Sequence, residues 1–321
     1  VQIPSTDLTV SRLCLGGNVF GWSADVEQSF AVLDAFAEAG GTFIDTADSY
    51  SAWVPGNVGG ESETIIGDWM SARGNRDQMV IATKVSRRPS ALGLDPANIR
   101  ACVDACLTRL GTDYLDICYA HADDPDIPVP DVVRTFDELI TAGKVRYAGA
   151  SNFTPDRLRE SLRVAEEDGL AGYAMVQDEY HLMARDEYEL GMREVVQEFG
   201  ISNLPYYGLA RGFLTGKYAA HVTVDSVRAP GASAYIGERG DRVLAALHAI
   251  AQDRSMAMGA MDRDAVAMGA VALAWLAQQP TVSTPIASAR TVEQLEQLLP
   301  FGDLELTSAE LASLDAASAD G

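Results

Sequence analysis

Four residues have types and positions that could support acid–base chemistry at an oxygen atom. Asp45 ends the run TFID, Tyr50 follows five residues later in TADSY, Lys84 ends VIATK, and His121 ends LDICYAH. Charged groups at the ends of apolar runs are costly unless they pair, so four together point to one mutual network. A free tyrosine has a pKa near ~10, too high for an efficient acid–base group at neutral pH. An adjacent ammonium would lower it, a carboxylate would hold that ammonium, and a neutral imidazole would orient a carbonyl. None of the four is an activated nucleophile, so such a site needs a hydride source. Singly, each has a plain structural role, as a turn residue, a snorkelling lysine or a satisfied core histidine. Their recurrence at matching strand ends favours chemistry, and His181, His221 and His248 share no such context.

The elements that must position these residues follow from periodicity. Short β-rich runs are predicted at Arg12–Leu15, Thr42–Asp45, Met79–Lys84, Tyr114–His121, Val145–Ala150, Tyr173–Gln177, Ile201–Tyr206 and Ser283–Ala287. Between them, apolar residues recurring at three and four predict helices. These are Asp25–Ala39, Glu61–Ser71, Pro96–Leu110, Asp131–Ala142, Thr154–Asp168, Asp186–Phe199 and Ala265–Gln278. Glycines such as Gly111 and Gly169 stand just past helix ends, and Thr154-Pro155 reads as an N-cap followed by proline at the first helical position. Eight strand–helix units predict an α/β chain folded as a (β/α)8 TIM barrel. A short N-terminal hairpin and long loops at the C-terminal face complete it. A doubly wound sheet binding a dinucleotide would normally carry GxGxxG after its first strand, and none occurs. No Pro-, Gly- or Ser-rich linker divides the chain, so residues 1–321 are expected to form one domain. Ser51–Gly60 and Ala219–Arg239 are long enough to build a site wall, and the Met-rich Ser255–Gly269 has no functional account.

Composition limits the partners. The 321 residues are 47% hydrophobic and 22% charged, and the formal net charge is -22. A field of that sign opposes binding to nucleic acid or to an anionic membrane surface. No run approaches ~18 apolar residues, so no membrane span is expected. The opening Val1–Asp7 lacks a charged segment followed by an apolar one, which argues against a secretory signal and for a cytoplasmic protein. Cys14, Cys102, Cys106 and Cys118 are scattered without metal-ligand spacing. They read as buried thiols, and no metal site is expected.

The ordered blocks LTVSRLCLGGNVFG, FIDTADSY, GESETIIG, ATKV, LTRLGTDYLDICYAH, GKVRYAGASNF, LPYYGLARGFLTGKY and IASARTVEQL run nearly end to end. Together they resemble the aldo-keto reductases. The resemblance implies that Asp45, Tyr50, Lys84 and His121 form the family's catalytic tetrad and that NADP(H) is the cofactor. It further implies that Ser151, Asn152 and Gln177 hold the nicotinamide carboxamide and that Tyr206 stacks on its ring. Leu209, Arg211, Leu214, Gly216 and Lys217 would wrap the pyrophosphate, and the backbone at Gly17 and Asn18 would approach the nicotinamide end. Ser288 and Arg290 would hold the 2′-phosphate, with Gln294 near the ribose–adenine end; a guanidinium fork suits that phosphate. The chain departs from the family where Gln297 and Leu298 replace the acid and amide that usually contact the adenosine.

A small-molecule aldehyde, ketone, sugar derivative or alcohol is the expected substrate, with Trp22 and Trp53 as pocket walls and Tyr235 a further candidate. The competing reading is an NADPH-binding sensory or regulatory subunit with slow turnover. A metal-dependent barrel hydrolase would need His and carboxylate pairs such as HxH, which are absent.

Overall fold

The computed structural model describes residues 1–218, 228–257 and 266–319. Eight short strands lie in one parallel sheet: β1 Cys14–Gly16, β2 Phe43–Asp45, β3 Val80–Val85, β4 Leu115–Ala120, β5 Val145–Ser151, β6 Tyr173–Gln177, β7 Ser202–Asn203 and β8 Ile286–Ala287. They pair in chain order from β1 to β7, while β8 pairs with β1. The remaining seam closes through Asn203 N–H to Thr281 O at 2.7 Å, Ser283 N–H to Asn203 O at 3.1 Å and Ile286 N–H to Pro205 O at 2.9 Å. The sheet therefore curls into the expected barrel.

The helices are α1 Val26–Glu38, α2 Glu61–Arg73, α3 Pro96–Leu110, α4 Val129–Thr141, α5 Pro155–Asp168, α6 Arg193–Glu198, α7 Ala229–Ser233, α8 Glu238–Ala257, α9 Met268–Ala277, α10 Val292–Leu298 and α11 Ser308–Ser318. Their ends follow local chemistry. Asp25 and Gln28 form a reciprocal capping box, and Thr154 caps α5 with Pro155 at its start. Gly111 and Gly169 end α3 and α5 with φ of 61° and 67°, a left-handed turn that costs glycine no Cβ clash.

Two layers of core result. Outside the barrel, buried side chains such as Phe36, Trp69, Phe136 and Trp275 fill the space between strands and helices. Inside it, Cys14, Phe43, Ile117, Tyr119, Met175 and Leu204 pack with Ile3, Leu8 and Val10. Those last three come from the N-terminal hairpin, whose ladder includes Ile3 N–H to Leu8 O at 3.0 Å. Gly149 is required in this interior, because a Cβ there would lie 2.4 Å from the Tyr119 ring. Asp116 lies in the otherwise apolar β4, held by Arg76 at 2.9 Å and Arg146 at 2.7 Å, as a buried charge must be. All four cysteines are buried and unbridged. Among the described residues, no helix is long and apolar enough to cross a membrane.

Several boundaries differ from the sequence expectation. The last two strands are two residues each, although Leu204 N–H to Val176 O at 2.9 Å and Tyr206 N–H to Asp178 O at 3.1 Å continue the bonding past β7. The helix expected over Asp186–Phe199 is present over residues 186–198, with a π-turn, Tyr188–Met192, inside it ahead of α6. Gly191 there packs on Pro155, and Glu189 pairs with both Arg185 and Arg193. A small antiparallel hairpin, Arg87–Arg88 with Ala91–Leu92, follows β3. Residues 219–227 of one expected loop, with His221, and residues 258–265 of the Met-rich segment lie outside the described residues.

Candidate active site

Asp45 is the last residue of β2, and Lys84 is the penultimate residue of β3. His121 follows the last residue of β4, its N–H bonded to Val85 O at 3.0 Å. The parallel register therefore brings three strand ends to one rim of the barrel, and the turn after β2 folds Tyr50 back over them. Lys84 Nζ donates to Asp45 Oδ2 at 2.6 Å, to Thr46 O at 2.9 Å and to Tyr50 Oη at 2.9 Å. An ammonium has three donors, and all three are used. The Lys84 and Asp45 side chains are 1% and 2% exposed, and Asp45 Oδ1 also accepts from Gln177 Nε2 at 2.8 Å. The buried ion pair is thus fully hydrogen-bonded, the condition under which such a pair is tolerated.

Tyr50 Oη lies 3.3 Å from Asp45 Oδ2, long for a hydroxyl donor. Burial first, and then the Asp45 charge, push the phenol well above its ordinary value. This direction corrects the expectation of a lowered pKa. The Lys84 charge is already matched by Asp45 at 2.6 Å, so burial dominates. His121 goes the other way: burial, then the charges of Lys84 and Arg87, hold it well below its usual range and keep the ring neutral. Its buried Nδ1 has no hydrogen-bond partner among the described residues, and its ring centroid stands 6.3 Å from that of Tyr50.

These groups face a cavity of about 590 Å³, lined also by Asn18, Ser151, Asn152, Gln177, Tyr206, Leu209, Arg211 and Ser288. Asn152 joins several of them. Its backbone is left-handed at φ 56°, fixed by N–H donation to Asp178 Oδ1 at 3.1 Å. Its side-chain amide donates to His121 O at 2.9 Å and Ser151 Oγ at 2.8 Å, while its Oδ1 accepts from Tyr206 Oη at 2.9 Å. Ser288 Oγ donates to Asn18 Oδ1 at 2.7 Å, bridging β8 to the turn after β1.

A second cavity of about 160 Å³ shares Leu209, Gly212, Arg228 and Ser288 with the first, and adds Lys217, Arg290, Gln294, Gln297 and Leu298. Gln294 Oε1 accepts the Arg290 N–H at 3.0 Å. Five residues named from sequence do not line either cavity. Gly17 is packed beneath, where a Cβ would meet Ser62 Oγ at 2.8 Å, and Leu214 is core. Gly216 closes the turn Ala210–Thr215 at φ 79°. Trp22, expected as a wall, packs edge-on against Trp53 at 5.4 Å, so Trp53 alone of the two faces the cavity. Tyr235 also stands outside, donating to Glu179 Oε1 at 3.4 Å.

Arg228 and Arg87 were not anticipated. Arg87 opens the short hairpin after β3 and Arg228 directly precedes α7; neither has a periodic or motif signal, and only the position of Arg228 within the long segment after Lys217 hinted at a wall. The donor set fits an elongated polyanion carrying one flat ring. Arg211, Arg228, Lys217 and Arg290 line the two cavities, which share wall residues, and Tyr206 offers a ring on the wall that also carries His121.

The chain matches the model of the aldo/keto reductase family over residues 12–319. It is 30% identical to protein tas of Escherichia coli, over 98% of this chain and 96% of that protein. It is 32% identical to the norsolorinic acid reductase stcV of Emericella nidulans, over 98% of this chain and 80% of that protein. It is 29% identical to the aryl-alcohol dehydrogenase GME11368 of Pestalotiopsis microspora, over 97% and 80%. A buried Asp–Lys pair holding a tyrosine at the rim of a closed parallel barrel agrees with these likenesses, and the chain belongs to the aldo/keto reductase family of oxidoreductases.

Proposed function

We propose that this protein is an NADP(H)-dependent carbonyl reductase acting on ring-bearing aldehydes or ketones, and on the corresponding alcohols in reverse. The observation that carries this reading is the Lys84–Tyr50 hydrogen bond of 2.9 Å beside a neutral His121, at the wall of a cavity also lined by Arg211 and Arg228.

NADPH, when bound, supplies the hydride that no side chain here can provide. Tyr50 gives its proton to the carbonyl oxygen as the carbonyl carbon gains that hydride, and the product is an alcohol. The tyrosinate left behind is held by Lys84, and Asp45 keeps Lys84 in place. His121, uncharged, does not compete as the acid; it donates one N–H that orients the carbonyl oxygen. Ser151, Asn152 and Gln177 would hold the carboxamide of the cofactor, and Tyr206 its ring. Arg211, Lys217 and Arg228 would meet the pyrophosphate, and Arg290 with Ser288 the 2′-phosphate. A ring-bearing substrate is supported by Trp53 on the cavity wall and by the names of the norsolorinic acid and aryl-alcohol relatives.

The test follows NADPH absorbance across a panel of aromatic and aliphatic aldehydes and ketones. Turnover concentrated on the aromatic members is expected. Cofactor binding without oxidation by any carbonyl would contradict the proposal and favour a sensory role.

A further inference from the structure

Between Lys84 and the hairpin that follows β3, the chain turns sharply. Ser86 has φ 92°, a region that residues with a Cβ rarely enter. Its N–H donates to Asp48 Oδ2 at 3.2 Å, and its carbonyl accepts Gly93 N–H at 3.0 Å. A backbone of this kind persists only where its surroundings hold it, and such positions cluster at working sites. The turn delivers Arg87 to the cavity wall, three residues after Lys84, beside Ser49, Ala52, Trp53 and Pro89. Arg88 Nε donates to Val58 O at 3.2 Å, tying this hairpin to the loop that carries Trp53. Hairpin and loop thus form one connected wall.

Arg87 is exposed on this wall. Against 46 acidic and 24 basic residues, most arginines here take a carboxylate, as Arg73, Arg109, Arg157 and Arg254 do. None of the ion pairs or side-chain hydrogen bonds among the described residues involves Arg87. It lines the same cavity as Tyr50, His121 and Tyr206. Of the two carboxylates lining this cavity, Asp45 is paired with Lys84, and Glu179 is hydrogen-bonded to His181 at 3.1 Å and to Tyr235 Oη at 3.4 Å.

We propose that Arg87 anchors an anionic group of the substrate, and that the preferred substrates are aromatic aldehydes or ketones bearing a carboxylate. The ring lies along Trp53, and the guanidinium fork takes the carboxylate through two parallel N–H···O bonds. This rests on the reading of the site as a carbonyl reductase.

The test compares 4-formylbenzoate with its methyl ester, which keeps ring and aldehyde and removes the charge. The protein is expected to favour the carboxylate by about 10-fold or more in kcat/KM, expressed in KM, from one charge-assisted contact. In Arg87→Gln that preference collapses to about 1, while Arg87→Lys keeps part of it, and rising salt weakens it. Equal use of acid and ester by the unaltered protein, or a preference that survives Arg87→Gln, overturns the proposal and leaves the reductase reading intact. If neither aldehyde is reduced, the wider carbonyl panel decides for the reductase reading, and calorimetric titration with terephthalate decides for Arg87. Binding lost in Arg87→Gln supports the anion anchor; binding unchanged, or absent from the unaltered protein, overturns it.

Discussion

Lys84 Nζ donates to Tyr50 Oη at 2.9 Å, while the same oxygen stands 3.3 Å from Asp45 Oδ2. The lysine occupies an acceptor site on the phenol, so the hydroxyl proton must point elsewhere, and Asp45 Oδ2, its one acceptor among the described residues, is distant. That proton is the one available to a substrate oxygen. Replacing Lys84 by Met is expected to reduce carbonyl reduction by ~10²-fold or more, the usual scale for loss of an acid–base function. Steady-state kinetics at saturating cofactor checks this; a loss under about threefold would mean that Lys84 does not support the proton transfer.

The pH dependence follows from the two shifted groups. Tyr50 lies above its ordinary value and His121 below its own, so in the neutral range the phenol is protonated and the imidazole uncharged. The kcat for reduction should be level between about pH 6.5 and 9, between the ordinary histidine and tyrosine values. Alcohol oxidation needs the phenolate and should rise with pH beyond that range. An apparent pKa near the ordinary histidine value in the reduction profile would contradict this.

Asp178 has a consequence for stability. Burial raises its carboxyl to about 7, although it accepts the Asn152 N–H. An unfolded aspartate titrates near ~3.9, so between about pH 4 and 7 the folded chain holds a proton that the unfolded chain has lost. Stability therefore falls as pH rises through that window. Asp48, also raised to about 7, acts in the same direction. Asp178→Asn removes the buried charge and should raise Tm at pH 8 by about 2 °C or more. The gain should be smaller at pH 5. A Tm difference independent of pH would show that the charge is not responsible.

Arg290 lines the smaller cavity with Lys217, and its backbone N–H is fixed by Gln294 at 3.0 Å. Arg290→Ala is expected to lower the NADPH-over-NADH preference by about 10-fold or more, the scale of a charge-assisted contact. Competition binding of the two cofactors reads this directly, and an unchanged preference would remove the assignment.

The sequence carried the barrel and the site unequally. Buried parallel strands such as LDICYA, bounded by capped helices, have strong local signals, so β4, α3 and α5 fall close to their expected bounds. The three strand-end residues follow from the same register. Local signals could not show that Lys84 is neutralised by Asp45 before Tyr50 feels it, which reversed the expected shift of the phenol. Nor could they separate Trp53 from Trp22, since the sequence places both in loops and only packing decides which one faces the cavity. Arg87 depends on a left-handed Ser86 held by Asp48, a contact across 38 residues that no local pattern encodes.

The central claim is that Tyr50 gives the proton from a hydroxyl supported by Lys84. Tyr50→Phe removes one oxygen from a buried site and leaves the ring. Its reductase turnover, measured beside NADPH affinity by fluorescence titration, tests the claim most directly. Turnover should fall by ~10²-fold or more with the cofactor Kd within about threefold of the unaltered protein. Turnover near the original rate, with the cofactor bound, would contradict the account.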